Sequence, residues 1–201
     1  MKQLILDIQP VPPQTLDNFV IGHNAEALAN IKSLLDDSVD ASFIYLWGPA
    51  GSGKSHLLNA ARNLGAHIAD NVHLLDNEAQ IELFNTYNQL KAANEKLITA
   101  GLHAPTQMNL RDDLATRLAW GLVYQLQSLS DVEKTEALKN HATERGICLP
   151  DEVIAYCLRY LRRDLPTLMS VLSALDEWSL TEKKPVTVPM LKKLLRLDLG
   201  V

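Results

Sequence analysis

Apolar positions along the chain change their spacing twice, and each change marks a different kind of element. Residues 1–18 show no clear period and hold prolines at 10, 12 and 13, which reads as an extended arm or linker. From Glu26 to Leu35, the side chains of Leu28, Ile31 and Leu34/Leu35 recur at helical spacing. Phe43-Ile44-Tyr45-Leu46-Trp47 is a continuous apolar run of buried-strand length, and Gly48 to Gly53 is a glycine-rich turn. A helix over Lys54–Leu64 closes at Gly65. There follow a weak strand over Ala66–Ala69 that ends in Asp70-Asn71, a long helix over Glu78–Ala93 and a strand over Lys96–Ala100. A loop with Pro105, a short helix over Arg111–Trp120 and a strand over Leu122–Leu126 complete this part.

From Leu129 the strands stop. Ser130 with Glu133 is a capping box that opens a helix running to Arg145 and stopping at Gly146. Pro150 starts a second helix, Asp164 caps a third, and a last one spans Met190–Leu197 after a break at Pro185–Val188. Strand–helix alternation followed by helices alone predicts an α/β nucleotide domain and a small all-helical lid. The expected ranges are an arm over 1–15, the α/β domain over 16–128 and the lid over 129–201.

With 201 residues, 47% of them hydrophobic, the chain can bury one substantial core, or a core plus a small second unit. A formal net charge of -5 argues against salt-driven nucleic-acid binding over the whole surface, so direct DNA contact is expected to be weak or absent. Cys148 and Cys157 form no metal or disulfide pattern and read as buried core thiols. Lys2 and the short run Gln3-Leu4-Ile5-Leu6 before Asp7 are too brief for a signal peptide, and no run of about 18 apolar residues occurs. The expectation is a soluble cytoplasmic protein without a membrane partner.

The chemistry concentrates at residues 48–55, which read Gly-Pro-Ala-Gly-Ser-Gly-Lys-Ser between an apolar strand and an amphipathic helix. Gly48, Gly51 and Gly53 let successive backbone N–H groups converge on a polyphosphate, and the following helix adds its free N-terminal amides. Lys54 reaches the β and γ phosphates, and the Ser55 hydroxyl is placed for Mg²⁺. A second-strand carboxylate is needed beside that metal. Asp70 and Asp76 both end short apolar stretches, and local spacing does not decide between them. Each is followed by an asparagine, Asn71 or Asn77, whose amide cannot accept a proton. Binding of ADP or ATP is therefore expected with weak or no intrinsic hydrolysis.

Five segments recur in this order in one family. Leu16-Asp17-Asn18-Phe19-Val20-Ile21-Gly22, the phosphate loop, Asp70-Asn71, the stretch Asp113–Gly121 around Arg117, and Arg163-Asp164-Leu165 together resemble the DnaA-type AAA+ proteins over nearly the whole chain. Within that family the resemblance points to the short regulatory members that inactivate the replication initiator. It implies an AAA+ P-loop fold with a parallel sheet and a helical lid. Phe19 and Ile21 would belong to the linker near the adenine, and Asp70 would be the metal-side carboxylate together with Ser55. Arg117 would be an arginine finger offered to a neighbouring subunit's nucleotide, and Arg163 the sensor arginine that reaches the chain's own nucleotide.

The same resemblance implies partners. Gln3-Leu4-Ile5-Leu6-Asp7-Ile8 is similar to the peptide by which such regulators bind the DNA sliding clamp, the β subunit of DNA polymerase III. Gln3 would enter a polar subsite, and Leu4, Leu6 and Ile8 an apolar groove. The implied function is negative regulation of replication initiation: held on the DNA-loaded clamp and nucleoid-associated through it, the chain would promote hydrolysis of DnaA-bound ATP. Self-association is a further expectation. The alternative left open is an adaptor that binds nucleotide and partners or DNA without stimulating hydrolysis. No helix-turn-helix module follows the lid, which on this reading separates the chain from DnaA itself.

Three departures from the family pattern stand out. Only the helix Lys54–Leu64 separates the phosphate loop from the Asp70 strand, where relatives insert a further strand and helix, so the sheet is expected to lack one edge strand. Leu102 occupies a position where relatives place a polar sensor residue. The Lys54-Ser55 pair is complete, where some relatives have degraded loops, which favours ATP as well as ADP as ligand. If the N-terminal peptide grips the clamp, Gln3→Ala will lose retention of the chain in a clamp pull-down; equal retention would refute that role.

Overall fold

The computed structural model describes residues 13–162 and 164–198. The chain divides into two compact units, one spanning Pro13–Leu129 and the other running from Ser130 on. The clamp-like residues Gln3, Leu4, Leu6 and Ile8, and Arg163 with them, lie outside the described residues.

The first unit alternates helices and strands: α1 (Ala25–Leu35), β1 (Phe43–Trp47), α2 (Lys54–Asn63), β2 (His67–Ala69), α3 (Asn77–Ala93), β3 (Leu97–Gly101), α4 (Asp112–Ala119) and β4 (Leu122–Gln125). The strands form one parallel sheet in the order β2-β3-β1-β4. Side-chain alternation along β1 explains why all five of its residues are apolar. Ile44 and Leu46 pack with Leu28, Ile31, Leu34, Leu57 and Leu58 of α1 and α2. Tyr45 faces the other way, into a cluster with Leu83 of α3 and Leu114 and Leu118 of α4. A central parallel strand covered on both faces has no polar side to show.

β2 is the edge strand that the missing strand–helix segment exposes. It is three residues long, and His67 Nε2 sits 2.6 Å from Glu95 Oε2 beside it. A short strand with charged neighbours is a poor template for pairing with another chain. Val72–Leu74, an apolar stretch after Asp70, is a 3-10 turn rather than a strand.

Residues ahead of α1 are stitched into the unit. Asn59 Nδ2 donates to Gln14 Oε1 at 2.8 Å, His56 Nε2 lies 2.8 Å from the Thr15 carbonyl oxygen, and Leu16 and Phe19 are buried in the core. Asn24, almost fully buried, exchanges two hydrogen bonds with the Gln127 backbone: its amide donates to the carbonyl at 3.0 Å and its oxygen accepts from the N–H at 2.8 Å.

The second unit consists of α5 (Asp131–Glu144), α6 (Asp151–Tyr160), α7 (Leu165–Glu182) and α8 (Val188–Asp198). The Ser130–Glu133 capping box forms with both reciprocal bonds, and Asp164 caps α7 through the Thr167 N–H at 3.0 Å. Leu138, Val153, Ile154, Leu168, Leu172 and Leu175 fill the core, drawn from α5, α6 and α7, with Leu191 and Leu194 from α8. Two expectations are corrected. α8 begins at Val188 rather than Met190, because Pro189 falls in the first turn, where no backbone N–H is required. Cys148 is exposed; only Cys157 is a core thiol, and burial pushes it up to about 11. Among the described residues no helix is long and apolar enough to cross a membrane.

Asn24→Ala removes both bonds to Gln127 and leaves a partly buried backbone pair unsatisfied. It is expected to destabilise the first unit by about 1–3 kcal/mol, measured by urea unfolding.

Candidate functional site

The loop between β1 and α2 takes its shape from three glycines with positive φ: Gly48 at 147°, Gly51 at 78° and Gly53 at 95°. At two of them the space itself forbids a side chain. A Cβ on Gly48 would collide with the Leu126 carbonyl oxygen, and one on Gly53 would stand 2.6 Å from Phe19 Cε2. Phe19 therefore packs directly beneath the loop, its ring 5.4 Å from that of His56. Ile21, expected with it near a base, is exposed.

Lys54 opens α2, and its ammonium donates to the carbonyls of Gly48 at 2.7 Å and Pro49 at 2.9 Å. Burial lowers its pKa and the nearby Asp70 carboxylate opposes that shift. The Ser55 hydroxyl, one residue on, donates to Asp70 Oδ2 at 2.6 Å. Asp70 Oδ1 accepts from the Asn71 N–H at 2.7 Å, with Asn71 in the left-handed region at φ 53°. Asp76 has a different job. Its carboxylate accepts from the Ala79 N–H at 2.9 Å as the N-cap of α3. The structure thus brings Asp70, and not Asp76, to the phosphate loop.

The Ser55 hydroxyl and the Asp70 carboxylate are hard oxygen donors set side by side. That suits Mg²⁺, which is held by one or two protein oxygens and otherwise keeps water and phosphate oxygens. No group of three or more His, Cys, Asp or Glu side chains able to hold a metal ion occurs among the described residues, so the donor set does not resemble an all-protein metal cage. Leu102, just after β3, is exposed and apolar, and the residue immediately beyond Asp70 is the amide-bearing Asn71.

A second constellation lies on α4. Buried Gln80 fixes the start of this helix: its oxygen accepts from the Arg111 N–H at 2.8 Å, and its amide donates to the Leu75 carbonyl at 3.0 Å. The Arg111 guanidinium then grips Asp113 through two bonds, at 3.2 and 2.9 Å, and holds that carboxyl below its ordinary range. Arg117, at the far end, is kept differently. Its guanidinium carbon lies 4.3 Å from the centroid of the Trp120 ring and 5.9 Å from that of Phe84. Among the described residues no carboxylate pairs with it. Trp120 and Phe84 were not legible as site residues, although an aromatic residue three positions after an arginine on a helix is a recognisable spacing.

Sequence models of two domains match the chain. The model of the bacterial DnaA ATPase domain covers residues 61–125, and that of the Hda lid domain covers residues 131–195. The two matches support an Hda-like, DnaA-related AAA+ protein. Solved structures give the same fold. Domain III of the Thermotoga maritima replication initiation protein DnaA superimposes with a TM-score of 0.74 at 20% identity, over 93% of this chain and 98% of that one. AMPPCP-bound DnaA from Aquifex aeolicus gives 0.68 at 22% identity, over 82% of this chain but only 65% of its own length. The Thermotoga maritima RuvB Holliday junction branch migration motor gives 0.63 at 15% identity, over 93% of this chain and 72% of that one. The AAA+ fold implied by the family resemblance, a parallel α/β sheet followed by helices, is the observed one.

The roles of Lys54 and Asp70 are separable. Lys54→Ala is expected to weaken binding of a fluorescent ADP by about ten- to a hundredfold with or without Mg²⁺, the loss of charge-assisted hydrogen bonds. Asp70→Asn is expected to weaken only binding measured in the presence of Mg²⁺.

Proposed function

We propose that this AAA+ protein is a negative regulator of replication initiation that stimulates hydrolysis of ATP bound to DnaA. The observation that carries this reading is a contrast within the first unit. The phosphate loop is complete through Lys54, Ser55 and Asp70, yet Asn71 and Leu102 stand where hydrolysis calls for a proton acceptor and a polar sensor. Meanwhile the Arg117 guanidinium has no carboxylate partner among the described residues. A site built to hold a nucleotide but poorly equipped to cleave it, on a unit that also offers such an arginine, fits a chain that acts on someone else's nucleotide.

In this reading the chain binds ADP or ATP in its own loop. The backbone amides around Gly51 and Gly53 and the Lys54 ammonium hold the phosphates; Ser55 and Asp70 would hold Mg²⁺, which screens phosphate charge. Phe19, seated under Gly53, ties the linker to the loop. Bound nucleotide keeps the chain in its docking geometry. Chemistry occurs on the γ-phosphate of ATP in DnaA. Arg117 donates N–H bonds to the γ-phosphate oxygens as water attacks the phosphorus and the bond to the bridging oxygen breaks, and ADP stays on DnaA. The N-terminal residues Gln3, Leu4, Leu6 and Ile8 hold the sliding clamp, which confines the reaction to DNA that carries one.

The test combines ATP-loaded DnaA, clamp loaded on DNA and this protein, with release of inorganic phosphate followed in time. Wild type is expected to stimulate hydrolysis and Arg117→Ala to lose about a hundredfold or more of that stimulation, the scale of arginine fingers supplied in trans. No stimulation by wild type would favour the adaptor role instead, and stimulation that survives in Arg117→Ala would refute the arginine finger.

A further inference from the structure

Arg117 and Arg111 sit at the two ends of one short helix and are held by opposite means. Arg111 spends its N–H donors on Asp113, at 3.2 and 2.9 Å. Arg117 lies over the Trp120 ring, 4.3 Å from its centroid, with Phe84 of α3 at 5.9 Å. A guanidinium held over a ring by its positive charge can keep its N–H donors for another acceptor. Trp120 itself is 60% exposed, an unusual place for the largest side chain unless its ring is occupied at the surface. Lys91 of α3 adds a second cation 4.9 Å from the same centroid. Among the described residues neither Lys91 nor Arg117 has a carboxylate partner, so this patch concentrates positive charge that an anion would neutralise.

We propose that Trp120 is the positioning residue for Arg117, holding its guanidinium by the face so that the N–H edge is presented to phosphate oxygens of the partner's nucleotide. The inference rests on the arginine-finger reading given above. A long arginine free in solvent would lose much of its rotamer freedom on reaching a phosphate. One already laid on an indole gives up part of that freedom during folding, so less is lost in the transition state. Lys91, over the same ring, adds to the potential that draws the triphosphate toward Arg117. The role predicts a change in maximal rate rather than in docking, because Trp120 acts through Arg117 and only at the phosphate.

The experiment uses the full chain with ATP-loaded DnaA and clamp on DNA, and titrates wild type, Trp120→Ala, Trp120→Leu and Trp120→Phe. Trp120→Ala is expected to lower the maximal stimulated rate about tenfold, the scale of a partly desolvated cation–π contact, with the half-saturating concentration nearly unchanged. Trp120→Phe keeps an aromatic face and is expected to recover most of the rate; Trp120→Leu keeps apolar bulk without that face and is expected to behave like Ala. A full maximal rate in Trp120→Ala overturns the proposal, as does equal recovery by Leu and Phe, or a defect confined to the half-saturating concentration. Arg117→Ala run in parallel separates the two ideas. If it stimulates like wild type, the arginine-finger reading itself has failed. If it is inactive while Trp120→Ala is fully active, only the positioning role has failed.

Discussion

The close approach of the backbone at the end of β1 to the chain leaving β4 sets the geometry of the whole first unit. The Leu126 N–H donates to the Trp47 carbonyl at 2.6 Å, and the Leu126 carbonyl occupies the space where a side chain on Gly48 would go. One residue further, Asn24 closes both backbone groups of Gln127. The phosphate loop therefore starts from a rigid corner rather than from the end of a loose strand. Three pieces of chain distant in sequence meet there: the linker before α1, the loop after β1 and the exit from β4. Preorganised amides are worth having at a phosphate site because they need not be ordered again when the ligand arrives.

Much of this was written in the sequence, and for definable reasons. The five-residue apolar run of β1 is only reasonable for a strand buried on both faces, and it is. Helix ends were legible where a side chain caps them, as at Ser130 and Asp164. The pairing of Ser55 with Asp70 was not decidable from local spacing, since Asp70 and Asp76 both follow apolar stretches. Tertiary structure separates them, because β2 delivers Asp70 to the loop while the 3-10 turn after it swings Asp76 to the start of α3. Long-range side-chain bonds left no trace either. Buried Gln80 and Asn24 look like ordinary polar residues until their backbone partners, 31 and 103 positions away, are seen. Cys148 misled because the absence of a metal or disulfide pattern does not itself bury a thiol: it lies in the connection between α5 and α6 and is exposed.

The two ends of α4 show how one helix can hold two arginines for different purposes. A bidentate carboxylate satisfies an arginine and ends its usefulness to any other anion. An aromatic ring restrains one while its donors stay available. Gln80 connects the two, since fixing the first residues of α4 fixes the register of its last turn. α3 carries all three of the side chains that meet this region: Gln80 at the Arg111 N–H, Phe84 beside Arg117 and Lys91 over the Trp120 ring.

The stitching of residues 14–19 to α2 has a consequence for reach. With Gln14 bonded to Asn59 and Phe19 locked under Gly53, the folded unit begins almost at the prolines. Only about five residues separate Ile8 from that anchor, a span of roughly 17 Å at full extension. On the proposed reading, a clamp gripped by residues 3–8 would be on a short leash, and the local concentration of this unit around it would be set by that length, in the millimolar range for short tethers. The chain's own abundance would matter far less than the number of such bodies on the DNA.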